Sequence, residues 1–198
     1  MKEIFKSALN NSYSYQDYRK IITDLLQEGK TTCTIQYEAL VNYSRLNETR
    51  MHRLDKTIVI DLVIISKLKL IQSQYIWLVI AEGWWGGAAQ ILPILNKMSE
   101  VSDNIDLKVV FRDDNEALMN LFLTNGNKSI PKLIILDKNS LDVIADWGPR
   151  PIGAVEIIEN YKEKFGIIDD TIKSELQMWY LHDKGLSTQK EITELMSL

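Results

Sequence analysis

The side chains that most often do chemistry in proteins are scarce in this chain. Its 198 residues include one cysteine, Cys33, and two histidines, His52 and His182. A single cysteine excludes an internal disulfide and any cysteine-rich metal site. The two histidines lie far apart in the sequence and lack the spacing of metal ligands, so we expect a surface or core role for each. The sequence therefore predicts no metal site and no cofactor.

Two adjacent glycines, Gly86 and Gly87, follow an apolar run and open a stretch with helical periodicity. Free N–H groups and the helix dipole favour negative charge at such a position, so the glycines could let the backbone approach an anion. They lack the spacing of a P-loop or of a dinucleotide-binding fingerprint. Two hypotheses stay open for them, an anion site and a tight turn between a strand and a helix.

A short acidic cluster and one arginine allow further hypotheses. Asp113, Asp114 and Glu116 resemble a metal-binding loop, but acids at the start of a helix are better explained by capping and the dipole. The spacing of Asp113 and Glu116 predicts a helix N-cap. Arg150 lies between two prolines, where it faces an anionic partner or is a solvated loop residue.

Composition narrows the class of protein. The chain is 45% hydrophobic and 25% charged, with a formal net charge of -4, which excludes a disordered chain and argues against nucleic-acid binding. Its longest uninterrupted apolar run, residues 75–81, is far shorter than the ~20 residues of a membrane helix. Glu3 and Lys6 fall where a signal peptide would be apolar. We therefore expect a cytoplasmic protein.

The elements that must position these residues follow from apolar periodicity. Two helices are predicted at residues 15–28 and 37–54, and the stretch 57–73 favours a third. Strands are predicted at residues 75–81, 105–111, 131–137 and 141–147, and helices at 87–99, 113–126, 153–165 and 169–182. Thr188 to Glu191 fits a capping box for a last short helix.

This order predicts an α/β fold in which helices cover both faces of a mixed sheet, parallel at first and closed by an antiparallel hairpin. We expect a helical N-terminal extension over residues 1–74, a core over 75–165 and C-terminal helices over 166–198.

The turn after the first predicted strand carries a family resemblance. In thioredoxins a Trp-Cys-x-x-Cys turn precedes a helix that contains a proline, and an Ile-Pro-x-Leu segment with a cis proline opens a later strand. The matching residues here are Trp84, Trp85, Gly86, Gly87 and Ala88 in the turn, Pro93 in the helix, and Ile130-Pro131-Lys132-Leu133 at the later strand. Residues 75–165 therefore resemble the thioredoxin fold family, and the resemblance implies a cis Ile130-Pro131 bond facing the turn.

A narrower resemblance spans almost the whole chain. It is to thioredoxin-like proteins whose turn reads Glu-x-Trp-Cys-Gly-Asp-Ala-x-Gln and whose core has helices before and after it. Glu82, Trp84 and Ala88 fit that form, but Trp85 stands where the cysteine belongs and Gly87 where the aspartate belongs. Members of the family take part in redox homeostasis, and the loss of this cysteine means that the resemblance does not by itself imply that role for this chain.

Thiol-disulfide exchange requires a thiolate, and neither Trp85 nor Ala88 contains sulfur. Val79 also replaces the buried acid that the family uses for proton transfer. The resemblance thus implies a redox-inactive protein that acts as a binding or structural module. An alternative is a thiol-disulfide oxidoreductase that uses Cys33 with a thiol of a partner, provided that the N-terminal segment folds over the turn; otherwise Cys33 is structural.

The family's substrate groove implies where binding would occur. Trp85, Ile130, Pro131 and Trp147 are the expected groove residues, for an unidentified protein or peptide partner or an apolar ligand. The other hypothesis is that Trp84 and Trp85 pack beneath the N-terminal helices. A purely structural or oligomeric role is a third possibility.

Overall fold

The computed structural model describes residues 1–196, which form nine helices and four strands. The N-terminal helices are α1 Lys2–Asn10, α2 Tyr15–Gln27, α3 Glu38–Thr57 and α4 Leu62–Lys69. The alternating part consists of β1 Tyr75–Ala81, α5 Gly86–Ser99, β2 Ile105–Phe111, α6 Glu116–Met119, β3 Lys132–Asp137, β4 Val143–Trp147 and α7 Ile152–Phe165. The C-terminal helices are α8 Asp170–Asp183 and α9 Leu186–Leu195.

The four strands form one mixed sheet in the order β2-β1-β3-β4. β1 pairs in parallel with β2, so that Val79 lies opposite Val109, and antiparallel with β3, so that Val79 also lies opposite Leu133. β3 and β4 form an antiparallel pair with an irregularity between Ile135 and Leu136. The predicted mixed sheet with helices around it is confirmed.

The central strand β1 is continuously apolar because both of its faces are covered. Alternate side chains enter two separate clusters of the core. One cluster, beneath α2, α3 and α5, contains Trp77, Val79 and Ala81. The other, beneath α1 and α6, contains Ile76, Leu78 and Ile80. The helices on both sides of the sheet therefore share one strand as their common support.

The flanking helices are joined to the core and to each other. α3 packs on α5, and α9 packs on both α4 and α5. The buried side chain of Gln189 in α9 donates to the Val59 carbonyl oxygen at 3.2 Å and accepts from the Asp61 N–H at 2.9 Å. Segments 128 and 130 residues apart in the sequence are thereby held together. In the part of the chain described, no helix has the length and apolarity needed to cross a membrane.

The predicted helix over residues 113–126 is wrong in both of its boundaries. α6 has four residues, and Asn115, not Asp113, precedes it. Asp113 instead pairs with Arg112 at 2.8 Å, and its N–H donates to Glu82 Oε1 at 3.2 Å. After α6 the chain turns, and of the apolar residues 121–123 only Phe122 is buried, so nothing sustains a longer helix.

The ends of the chain also differ from the predictions. The capping box at Thr188 is wrong, because α9 begins at Leu186 after Gly185 and Thr188 is buried inside it. α1 was not predicted, and it packs through Phe5 and Ala8. α4 covers less than half of the stretch 57–73 that favoured a helix.

Candidate functional site

The turn between β1 and α5 fixes two indole rings at the start of a helix. Trp85 is the N-cap residue of α5, and no side chain caps the helix. The Trp85 N–H donates to the Glu82 carbonyl oxygen at 3.2 Å. The rings of Trp84 and Trp85 meet edge to face, with centroids 5.6 Å apart and planes at 88°. Both side chains are half-buried, and the first N–H groups of α5 begin beside them.

Pro131 packs against the first turn of α5. The Ile130-Pro131 peptide bond is cis, and Pro131 is buried. A Cβ atom at Gly87 would lie 3.2 Å from Pro131 Cδ and 3.2 Å from Trp85 Nε1. The absence of a side chain at Gly87 therefore lets the proline and the indole approach the helix together. This close approach accounts for Gly87 as a tight-turn residue.

Helix α3 covers the same turn and brings a hydroxyl and a cation to it. A Cβ atom at Gly86 would lie 3.1 Å from Tyr43 Oη and 3.7 Å from Arg50 Nη1. The Arg50 guanidinium lies 5.7 Å from the centroid of the Tyr43 ring, and its Nη1 donates to Asn47 Oδ1 at 3.0 Å. The start of α5 therefore has a phenol hydroxyl and a cation beside it.

The single cysteine of the chain lies in a different segment. Cys33 is a half-buried free thiol in the loop between α2 and α3. Its neighbour Thr32 donates to the Glu82 carboxylate and accepts from the Gly83 N–H at 3.2 Å. The N-terminal segment therefore folds over the end of β1, as a redox role of Cys33 requires.

Glu82, the first residue of the turn motif, has a buried carboxyl group. It is 0% exposed, and burial raises its pKa to about 7. The hydrogen bonds from Thr32 and from the Asp113 N–H oppose that rise, because they stabilise the carboxylate. The signal for it in the sequence is an acid placed directly after a continuously apolar strand.

Arg112 and the two histidines are the other residues whose side chains could take part in a site here. The Arg112 guanidinium lies 5.0 Å from the centroid of the Trp84 ring, an attractive cation–π arrangement, and pairs with Asp113. His52 and His182 are exposed. Among residues 1–196, no cluster of His, Cys, Asp and Glu has the arrangement of a metal site.

A cavity of about 460 Å³ opens beside the turn, between α3, α7 and α8. Its walls are mainly apolar and include both indoles, Leu40, Ile158, Ile172 and Leu176. Its polar lining residues are Tyr43, Arg150, Lys173, Gln177 and Tyr180. The volume falls within the range of roughly 300–1,000 Å³ that is typical of small-molecule sites.

Four buried polar atoms of the cavity lining have no hydrogen-bond partner among the described residues. They are Nε1 of Trp84, Nε1 of Trp85, Nε of Arg150 and Oη of Tyr180. Burial raises the pKa of Tyr180 to about 12, against the opposing effect of Arg150, so its hydroxyl stays protonated and can donate. All four atoms are shielded from solvent at the edge of the cavity, and buried polar groups are normally satisfied, so these atoms leave hydrogen-bonding capacity beside it.

The expected groove of Trp85, Ile130, Pro131 and Trp147 is not formed as one open surface. Ile130 is 1% exposed and belongs to the core cluster beneath α1. Trp147 is buried in a different depression, where its indole N–H donates to Glu191 Oε2 at 2.8 Å. Trp85 and Pro131 do meet, at Gly87, but Pro131 is covered. Arg150 is half-buried rather than a solvated loop residue.

The comparisons with known proteins agree with this architecture. A family model described as thioredoxin matches residues 34–162. A protein of unknown function from Pseudomonas aeruginosa has a similar solved structure, with a TM-score of 0.58, 14% sequence identity, and coverage of 93% of this chain and 98% of that one. An HIV epitope-scaffold is similar as well, with a TM-score of 0.56, 16% identity and the same coverage. No match was found among curated proteins. Because the family model spans well over half of the residues, the chain belongs to the thioredoxin family.

Proposed function

We propose that this thioredoxin-family protein is redox-inactive and binds a ligand in the cavity beside the Trp84–Ala88 turn. The observation that carries the proposal is the group of unpartnered buried donors around an otherwise apolar cavity. The proposed site is this cavity instead of the expected open groove at Trp85 and Pro131, and Trp85 lines it. Of the expected groove residues, Trp85 keeps a direct role.

The absence of sulfur at Trp85 and Ala88 supports the redox part of the proposal, because exchange needs a thiolate at the reacting position. We expect the purified protein to reduce insulin disulfides with dithiothreitol no faster than dithiothreitol alone. The Cys33→Ser variant is the matched control and should give the same rate. A rate above background that Cys33→Ser abolishes would contradict the proposal.

That outcome would favour the second candidate function, a thiol-disulfide oxidoreductase that uses Cys33 with a thiol of its partner. The contacts of Thr32 with Glu82 and Gly83 are the observation in its favour, since they hold the loop of Cys33 against the turn.

Binding in the cavity can be tested with the neutral fluorescent probe N-phenyl-1-naphthylamine. We expect one probe molecule to bind per chain and to quench tryptophan emission, because Trp84 and Trp85 line the cavity. Leu176→Trp should fill the cavity and abolish binding, whereas Leu181→Trp, on an exposed position of the same helix, should not. Absence of probe binding, or equal binding by both variants, would contradict the proposal.

A further inference from the structure

The lining of the cavity has a charge of one sign. Two of its residues, Arg150 and Lys173, are cationic, and none of the described residues that line it is Asp or Glu. The start of α5, where Gly86 and Gly87 line the cavity, adds uncapped backbone N–H groups and the positive end of the helix dipole.

Within residues 1–196, Lys173 has a carboxylate partner, and Arg150 does not. Lys173 is exposed and pairs with Asp170 at 2.9 Å, so it belongs to the rim. Arg150 makes no ion pair with any carboxylate among the described residues. Arg150 also lines the neighbouring depression, which contains Asp146, Glu194 and Glu191. The two oxygens of Glu191 accept from the Trp147 indole and from the Ile152 N–H, both at 2.8 Å.

A half-buried arginine without a carboxylate partner is costly to the protein unless a ligand supplies one. The planar guanidinium binds a planar carboxylate through two parallel hydrogen bonds, which makes the carboxylate its best-matched partner. Beside Arg150, the buried Tyr180 hydroxyl interacts with the guanidinium and keeps its own proton to donate. The polar end of the cavity therefore fits one carboxylate group.

The rest of the cavity fits an apolar body. Ile158, Ile172 and Leu176 form its wall on α7 and α8, and the edge-to-face indoles line it as well. We propose, resting on the ligand-binding function above, that the ligand is a small molecule with one carboxylate on an apolar chain or ring. Arg150 and Tyr180 bind the carboxylate, and the apolar walls bind the body.

The test compares octanoate with octanol, which share an apolar chain and differ in the charged group. Each is titrated against the protein loaded with N-phenyl-1-naphthylamine. We expect octanoate to displace the probe with about tenfold higher affinity than octanol, because hydrogen bonds to a charged group contribute about that factor. Equal affinities, or a preference for octanol, would overturn the proposal.

Substitutions of Arg150 and Tyr180 test whether these residues cause the preference for octanoate over octanol. Arg150→Gln should weaken octanoate binding about tenfold and leave octanol unchanged. Arg53→Gln removes the same charge from an exposed position of α3 and should alter neither affinity. If Arg150→Gln does not fold, Tyr180→Phe decides, with a loss of a few-fold expected for octanoate alone. An unchanged preference in these variants would overturn the proposal.

Two further results separate this inference from the proposed function. If the probe binds but octanoate has no advantage over octanol, the cavity binds ligands and the carboxylate inference is wrong. If the probe does not bind, the proposed function itself is wrong. A peptide with a free C-terminal leucine that displaces the probe where octanoate does not would overturn the small-molecule class of ligand.

Discussion

The burial of Glu82 makes the stability of the protein depend on pH. Its pKa is raised to about 7 in the folded protein from an ordinary value of 4.5, chiefly by burial. A carboxyl group with a raised pKa binds its proton more tightly in the folded state. Its contribution to stability is therefore fully present below pH 4.5 and is lost as the pH rises through about 7.

We accordingly expect the free energy of unfolding to fall by about 2 kcal/mol between pH 5 and pH 8 through this residue. Glu82→Gln keeps the shape of the side chain and cannot titrate, so this part of the pH dependence should disappear. Urea denaturation of both proteins at the two pH values measures the difference. Identical pH dependence in the two proteins would show that Glu82 does not titrate as described.

Only part of the site could be inferred from the sequence. The turn Trp84–Ala88 and Pro131 come together as the family resemblance implies, because both lie at the ends of paired strands. Tyr43, Arg150 and Tyr180 lie on segments far from the turn in sequence. Periodicity shows that a helix has a buried face but not which surface it covers, so their position in the cavity lining required the structure.

At the scale of elements, the loop after β4 approaches β3 more closely than any side chain would allow. Gly148 has a φ of +119°, and a Cβ atom there would lie 2.3 Å from the Pro131 carbonyl oxygen. We expect Gly148→Ala to cost at least about 2 kcal/mol of stability, from backbone strain and overpacking together. Chemical denaturation measures the loss.

Gly126→Ala is the matched control for that substitution. Gly126 has a φ of +76° with nothing within 4 Å of the Cβ position, so its replacement adds strain without a clash and should cost about 1 kcal/mol. If both variants lost the same stability, the contact with Pro131 would not be the cause.

Strand β1 could be predicted from the sequence because it is a short, continuously apolar run that ends shortly before a glycine, too short for a typical helix. The error at α6 has a physical reason as well. Leu121 and Leu123 extended the apolar content of the predicted helix, but they are 40% and 41% exposed, so no partner surface holds that stretch in a helix. Tertiary contacts, which a single sequence does not display, decided this boundary.

At the scale of the whole molecule, α9 connects elements that are distant in sequence. Glu191 accepts hydrogen bonds from the Trp147 indole of β4 and from the first N–H of α7. Glu191→Ala should cost about 2 kcal/mol, because it leaves a buried indole donor without a partner. Glu194→Ala, on an exposed position of the same helix, should change stability by less than about 0.5 kcal/mol. Thermal denaturation of both variants would contradict this assignment if their midpoints fell equally.

The hydrogen bonds that join Gln189 to Val59 and Asp61 can form only after α9 has been translated. The residues they join are separated by 130 and 128 positions, and both neighbours of β1 in the sheet are made after it. At ~5–20 residues per second, α4 leaves the ribosome on the order of ten seconds before α9 does. For that interval the apolar faces of the first four helices have no completed core to cover them, and the nascent chain depends on chaperones or on its own transient contacts to keep them from aggregating.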